Sequence, residues 1–159
     1  MKRVTLPTLE YLEKMVQGRL KPNEIAPMTY PTNISKTLKM SIERVSLGEA
    51  TVCIAAHPEI HGNQQNTIHG GLLCELADQA IGTAHSTIIK ENESFASVDL
   101  KINFFSPSWE TKLFAEAKPI KVGKTLTHYE CKISNEEEKI VAHVTSIVMT
   151  LRGEKSKGR

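Results

Sequence analysis

Apolar and polar residues alternate along most of this chain, but one segment follows a different rhythm. From about Ile68 to Ile89, Leu72, Leu73, Leu76, Ala77, Ala80, Ile81 and Ala84 cover most of a helical circumference. A helix apolar nearly all round is a buried one. Before it, Leu38, Met40 and Ile42 alternate with Lys39, Ser41 and Glu43 across 37–45. Ala50, Val52 and Ile54 resume the alternation across 50–56, with Ser46-Leu47-Gly48-Glu49 as a turn, which predicts a β-hairpin. After the helix, Glu91-Asn92-Glu93-Ser94 is a break, and four strand-like runs follow. Val98, Leu100, Ile102 and Phe104 mark the first, and Leu113, Ala115 and Ala117 the second. Leu126, Tyr129, Cys131 and Ile133 mark the third, across 124–133. The fourth, 139–150, is dominated by Ile140, Val141, Ala142, Val144, Ile147 and Val148, after a polar turn at Asn135-Glu136-Glu137-Glu138. At the start, Leu9, Leu12, Met15 and Val16 form one stripe and predict a helix over 5–19 that Gly18 and Pro22 end. Pro22, Pro27 and Pro31 make 20–35 an irregular crossing. The predicted fold class is α+β: one antiparallel sheet wrapped on one buried helix. Such a sheet leaves edges that are usually covered or paired, which favours a dimer.

Composition narrows the function without naming it. With 159 residues the chain suits a single domain. The net charge of +2 is too balanced for a dedicated nucleic-acid binder. The one basic run, 152–159 with Lys155 and Lys157, reads as a solvated, frayed tail. No stretch approaches the ~20 apolar residues of a membrane span. Lys2 and Arg3 are followed by Glu10, Glu13 and Lys14 rather than an apolar leader. Cys53, Cys74 and Cys131, three cysteines without a CxxC pair, suit a reducing compartment. The expectation is a cytoplasmic protein without membrane or nucleic-acid partners.

Two clusters carry candidate chemistry. The first is the polar run from Asn63 to Gly71, which ends in His69-Gly70-Gly71 and leads into the buried helix. A helix N-terminus offers unpaired N–H groups and partial positive charge, and glycines let a ligand approach them. That makes an oxyanion site, and equally well a plain glycine turn. The second is a row at steps of three, four and three: Glu75, Asp78, Gly82 and His85. These share one helix face. A carboxylate there is costly to bury without a partner or a purpose, so Asp78 is either a base or one half of a structural pair. Glu75, nearer the helix start, is the weaker candidate. Six histidines and three cysteines fall in no metal-ligand spacing, and Cys74 reads as a small core residue. The absence of GxSxG leaves no serine-hydrolase elbow. From position alone, Ser97 is a surface strand serine.

With both clusters in view, the chain resembles the phenylacetate-pathway (PaaI-like) hot-dog thioesterases. The likeness rests on His69-Gly70-Gly71 followed by Leu76-Ala77-Asp78-Gln79-Ala80-Ile81-Gly82, on the run Ser97 to Pro107, and on Gly123-Lys124-Thr125-Leu126. It covers about 36–150. It implies a hot-dog fold at 36–151, with an N-terminal helical extension at 1–35 and a basic tail at 152–159. It implies hydrolysis of an acyl-CoA, with no cofactor and no metal. Asp78 matches the catalytic carboxylate, acting as general base or nucleophile. Gly70 matches the glycine whose N–H polarises the thioester carbonyl, with Gly71 beside it. Asn63 matches an amide that positions water or the leaving group, His69 the motif histidine that supports the carbonyl site, and Ser97 a serine that orients water. Lys124 is a candidate phosphate contact, since a fixed cation suits CoA phosphates. The resemblance further implies a homodimer or homotetramer with active sites at the subunit interface. One departure stands out: many relatives carry Gly where this chain has Asn66.

Two other classes compete. A non-catalytic acyl-CoA sensor would not need Asp78, and no DNA-binding extension accompanies this domain. A dehydratase of the same fold usually pairs a catalytic His with an acid in a differently placed motif, whereas here the acid lies nine residues after His69.

Overall fold

The computed structural model describes residues 2–157. Its centre is a six-stranded antiparallel sheet in the order β3-β4-β6-β7-β8-β5. The strands are β3 (Ser41–Ser46), β4 (Glu49–Ala56), β5 (Ser94–Phe104), β6 (Thr111–Val122), β7 (Leu126–Asn135) and β8 (Ile140–Leu151). The long helix α4 (Gly70–Ser86) lies across one face and touches β4 to β8. Its Leu76, Ala77, Ala80, Ile81 and Ala84 are fully buried against the inward rows of the sheet, such as Leu113, Ala115, Cys131, Ile133, Val144 and Val148. Burying one helix in the curve of one sheet is the hot-dog arrangement, and the α+β expectation holds.

The N-terminal part departs from the pattern reading. A short parallel pair, β1 (Val4–Thr5) and β2 (Glu24–Ile25), brackets α1 (Thr8–Val16), which packs beside edge strand β3 with Leu12 fully buried. The end of the stretch taken as irregular, and the start of the run taken as strand, form a helix instead, α2 (Asn33–Leu38). Thr32 starts it by accepting the Ser35 N–H at 3.2 Å, and Lys39, at φ 57°, ends it. A side-chain cap and a left-handed terminator thus overrule an alternation of only three apolar residues. A further short helix, α3 (Pro58–His61), precedes the loop to α4.

The second departure is more consequential. Between Ser97 and Asp99 the pairing of β5 with β8 slips by one residue: Ser97 faces Val148 while Asp99 faces Ile147. This β-bulge reverses the alternation. Simple period-two reading puts Val98 in the inward row with Leu100, Ile102 and Phe104. Instead Val98 is 53% exposed, and Ser97 takes the place facing α4.

The sheet's two edges differ. Helix α1 lies beside β3, whereas β5 pairs only with β8 and leaves its other side open. The C-terminal tail is tied down more than expected. Arg152 Nε donates to Glu93 at 2.6 Å, and the Ser156 hydroxyl, in a 3-10 turn, donates to the Asn92 carbonyl. Gly158 and Arg159 of that tail lie outside the described residues.

Candidate active site

His69 caps α4. Its Nδ1 accepts the Gly71 N–H at 2.8 Å, which requires that nitrogen to be unprotonated. The cap therefore occupies the Gly71 donor. The Gly70 N–H, at the first helical position, has no intrahelical acceptor and meets none among the described residues. Gly70 also lets the Phe104 ring come close: an added Cβ would stand 2.9 Å from it, and the ring would have to shift. That ring, itself 55% exposed, walls one side of the free N–H. Alternation marked Phe104 only as a strand residue. Its closeness to Gly70 depends on how β5 crosses the helix, which no local signal gives.

Asn63 organises the approach loop. Its Oδ1 accepts the Gln65 N–H at 2.9 Å and the Thr67 N–H at 3.2 Å, and its Nδ2 donates to the Thr67 hydroxyl at 2.9 Å. One Nδ2 hydrogen remains. Asn66 sits at φ 56°, a left-handed conformation that Asn tolerates better than most side chains. Asn66 therefore holds a backbone shape that glycine would also adopt readily.

Asp78 projects from α4 toward β5, where the bulge presents Ser97. The Ser97 hydroxyl donates to Asp78 Oδ1 at 2.9 Å, and Oδ2 has no partner among the described residues. Asp78 is half-buried rather than enclosed, because the β5 edge beside it is open. Eight residues separate it from Gly70, about 12 Å along a helix at 1.5 Å per residue. The rest of the row divides. Glu75 is half-buried, accepts from Gln79 Nε2 at 3.3 Å, and has its pKa raised, chiefly by burial. Gly82 faces Phe95. His85 is fully buried, with Nδ1 3.2 Å from the Tyr129 hydroxyl and Nε2 3.0 Å from the Thr150 hydroxyl. Burial pushes its pKa down to about 4, so it is neutral at physiological pH.

Lys124 lies in the turn from β6 to β7, exposed, at the same end of the sheet as Ser97 and two strands across. It contacts neither Asp78 nor Gly70. The three cysteines are free, and burial raises the Cys131 thiol to about 12. Among the described residues no three His, Cys, Asp or Glu gather as a metal site, and no helix is long and apolar enough to cross a membrane.

A cavity of about 920 Å³ lies away from this chemistry, over the opposite face of the sheet. It is floored by a cross-strand charge ladder. Glu116 binds Arg44 at 2.8 Å and Lys132 at 3.2 Å, and Glu130 binds Lys118 at 3.2 Å and His143 at 3.3 Å. Those side chains pair with one another.

Comparison with known proteins agrees with the fold. The sequence profile of the thioesterase superfamily matches residues 65–142, which spans the His69 loop, α4 and most of the following strands. A 1,4-dihydroxy-2-naphthoyl-CoA hydrolase of Listeria monocytogenes is 25% identical over 108 residues, 68% of this chain and 87% of that protein. The E. coli PaaI protein of the phenylacetic acid degradation operon superposes with a TM-score of 0.74 at 22% identity, covering 92% of this chain and 95% of that one. A thioesterase of Haemophilus influenzae superposes with a TM-score of 0.71 at 20% identity, covering 77% and 85%. At those identities the two structures speak for the fold.

Proposed function

We propose that this chain, which matches the thioesterase superfamily over residues 65–142 and resembles a CoA-thioester hydrolase, cleaves an acyl-CoA to free acid and CoA at a site built by two copies of the chain. The observation that carries this reading is the pair of unfilled groups on α4. Asp78 is steadied by Ser97 yet keeps one oxygen open, and the Gly70 N–H is free about 12 Å away along the helix. The two are too far apart to serve one carbonyl. Both, however, border the open β5 edge, through Ser97 and Phe104. Antiparallel pairing of two β5 strands, with the two-fold between those residues, sets Asp78 of one copy near Gly70 of the other.

In that site the thioester oxygen accepts the Gly70 N–H. Charge growing on it as the carbon becomes tetrahedral is stabilised by the N–H and by the helix N-terminus. Asp78 Oδ2 takes the proton of the attacking water, or attacks the carbon to form a mixed anhydride that water then hydrolyses to the free acid, while the Ser97 hydroxyl fixes Oδ1. His69 holds the helix start in shape. The remaining Asn63 N–H is available to the water or the leaving sulfur. Collapse of the intermediate expels CoA as a thiolate, a leaving group that needs no strong acid. Lys124, exposed at the Ser97 end of the sheet, supplies a cation for a CoA phosphate.

Thiol release from a panel of acyl-CoAs tests the activity, and no release from any member overturns it. Subunit mixing tests the shared site. Asp78→Asn removes the base. Gly70→Pro removes the N–H at the one helical position where proline is tolerated. Each variant alone is expected to be inactive, and refolding the two together should restore activity by forming hybrid dimers with one intact site. No recovery on mixing rejects the two-copy site.

A further inference from the structure

The loop that carries the Gly70 N–H is closed by a second histidine. His61 ends α3, and its Nδ1 accepts the His57 N–H at 3.1 Å while its own N–H returns to the His57 carbonyl at 2.7 Å. That reciprocal pair closes a helix of only four residues, too short to hold itself by its own ladder. As at His69, accepting at Nδ1 requires that nitrogen to be unprotonated.

His61 in turn holds the entrance to α4. Its carbonyl accepts the His69 N–H at 2.8 Å. Beside it Gly62 bridges Ile68, and the Asn63 N–H donates to the Thr67 carbonyl at 2.8 Å. Residues 61–69 are therefore a small hairpin, with Asn63 in one arm and His69 at the end of the other. An added Cβ at Gly62 would collide with the Pro58 carbonyl oxygen, so the hairpin rests directly on the first turn of α3. Its base is fastened to the approach to β6: the Ile68 N–H donates to the Ser108 carbonyl at 2.8 Å, and His57 Nδ1 lies 3.3 Å from Glu110. From His61 the contacts run through the His69 N–H to the Gly71 cap, and so to the free Gly70 N–H.

We propose that His61 is a positioning residue for the reaction: in its neutral form it fixes the hairpin that sets the Gly70 N–H and the Asn63 amide, and a proton on Nδ1 releases them; this rests on the acyl-CoA reading above. The charged groups around it favour the neutral form. His57 on the same helix and Lys39 at the end of α2 are its cationic neighbours, and Glu110 engages His57 rather than His61. Burial, more than either cation, holds the His61 pKa below the usual histidine value of 6.5. The acceptor is therefore in place at neutral pH and is lost as pH falls through that lowered value.

The test compares kcat and KM, from acidic to mildly alkaline pH, for the wild type, His61→Asn, His61→Gln and His61→Phe. Asn carries an oxygen near the place of Nδ1 and does not titrate there. Gln reaches only toward the place of Nε2, and Phe fills the space without an acceptor. His61→Gln and His61→Phe are expected to lose about tenfold in kcat or more, since a displacement of about 1 Å costs up to about 10²-fold. KM should hardly move, because the Gly70 N–H acts mainly as charge develops in the transition state. His61→Asn should keep the wild-type kcat at mildly alkaline pH and hold it further into acid than the wild type does. Full kcat in His61→Gln or His61→Phe, equal losses in His61→Asn and His61→Gln, or an acid limb shared by His61→Asn and the wild type overturns the proposal. If His61→Phe does not fold, His61→Gln and His61→Asn carry the comparison. Amide NMR resonances of Gly70 and Gly71, recorded without substrate, test the placement apart from turnover. They should shift in His61→Gln and stay at their wild-type positions in His61→Asn; resonances unmoved in His61→Gln overturn the proposal. Absence of thiol release by the wild type from every acyl-CoA rejects the hydrolase reading instead, and the resonances then decide by themselves whether His61 holds the loop.

Discussion

Two polar pairs sit on the same face of α4, two turns apart, and they are opposites. His85 is fully buried, and both its ring nitrogens are engaged, by Tyr129 and Thr150. Asp78 lies beside an open sheet edge with one oxygen bound and the other free. The first pair is complete and therefore structural: nothing more can bind it. The second is incomplete and therefore able to react. What separates the proposed reactive group from the structural one is whether its hydrogen bonds are closed within the protomer.

The sharpest way to break this contrast is Asp78→Asn. It should lower turnover by about 10²–10⁴-fold, the usual worth of a positioned base, with the urea midpoint nearly unchanged. Near-normal turnover would remove Asp78 from the chemistry. Gly70→Pro is next, with a loss of about 10²–10³-fold in kcat. Partial rescue by Phe104→Leu alongside it would mean that crowding, not the missing N–H, caused the loss. His85→Phe should act on the other side of the contrast. It leaves the Tyr129 and Thr150 hydroxyls unpaired and should cost about 2–3 kcal/mol in urea unfolding, while turnover of the folded fraction persists.

His85 also predicts a pH effect of definite sign. Its folded pKa, about 4, lies below the ordinary histidine value of 6.5. Between those values the unfolded chain holds a proton that the folded chain does not, so stability falls as pH drops through that window. The full difference is about 3 kcal/mol at 1.36 kcal/mol per unit, and His85→Phe should lack it. The smallest effect belongs to Ser97→Ala, which should lower turnover about tenfold by releasing Oδ1. A loss of stability without a loss of turnover would return Ser97 to the structural class.

The sequence carried the sheet and α4 because their periodicities are long. Seven apolar positions define the helix, and strands β4 to β8 each repeat their pattern across the sheet. It carried Asp78 because a carboxylate on an apolar helix is conspicuous in any register. It did not carry the difference between Asp78 and His85, which occupy equivalent places in one row and are told apart only by what faces them. From position alone Ser97 reads as a surface serine, for a related reason, and only the family resemblance marks it. A single-residue bulge reverses its side, and nothing in Ala96-Ser97-Val98-Asp99 marks where β8 will slip. Helix α2 was hidden by its brevity, with a threonine cap and a left-handed Lys39 doing what no periodicity could signal.

The open edge of β5 has a consequence for how the protein would be used. A site that closes only when two edges meet obeys mass action. Specific activity should then fall on dilution as pairs separate, and substrate, by bridging Asp78 of one copy and Gly70 of the other, should hold the pair together. Progress curves begun from very dilute protein would show a lag that shortens as either protein or acyl-CoA is raised.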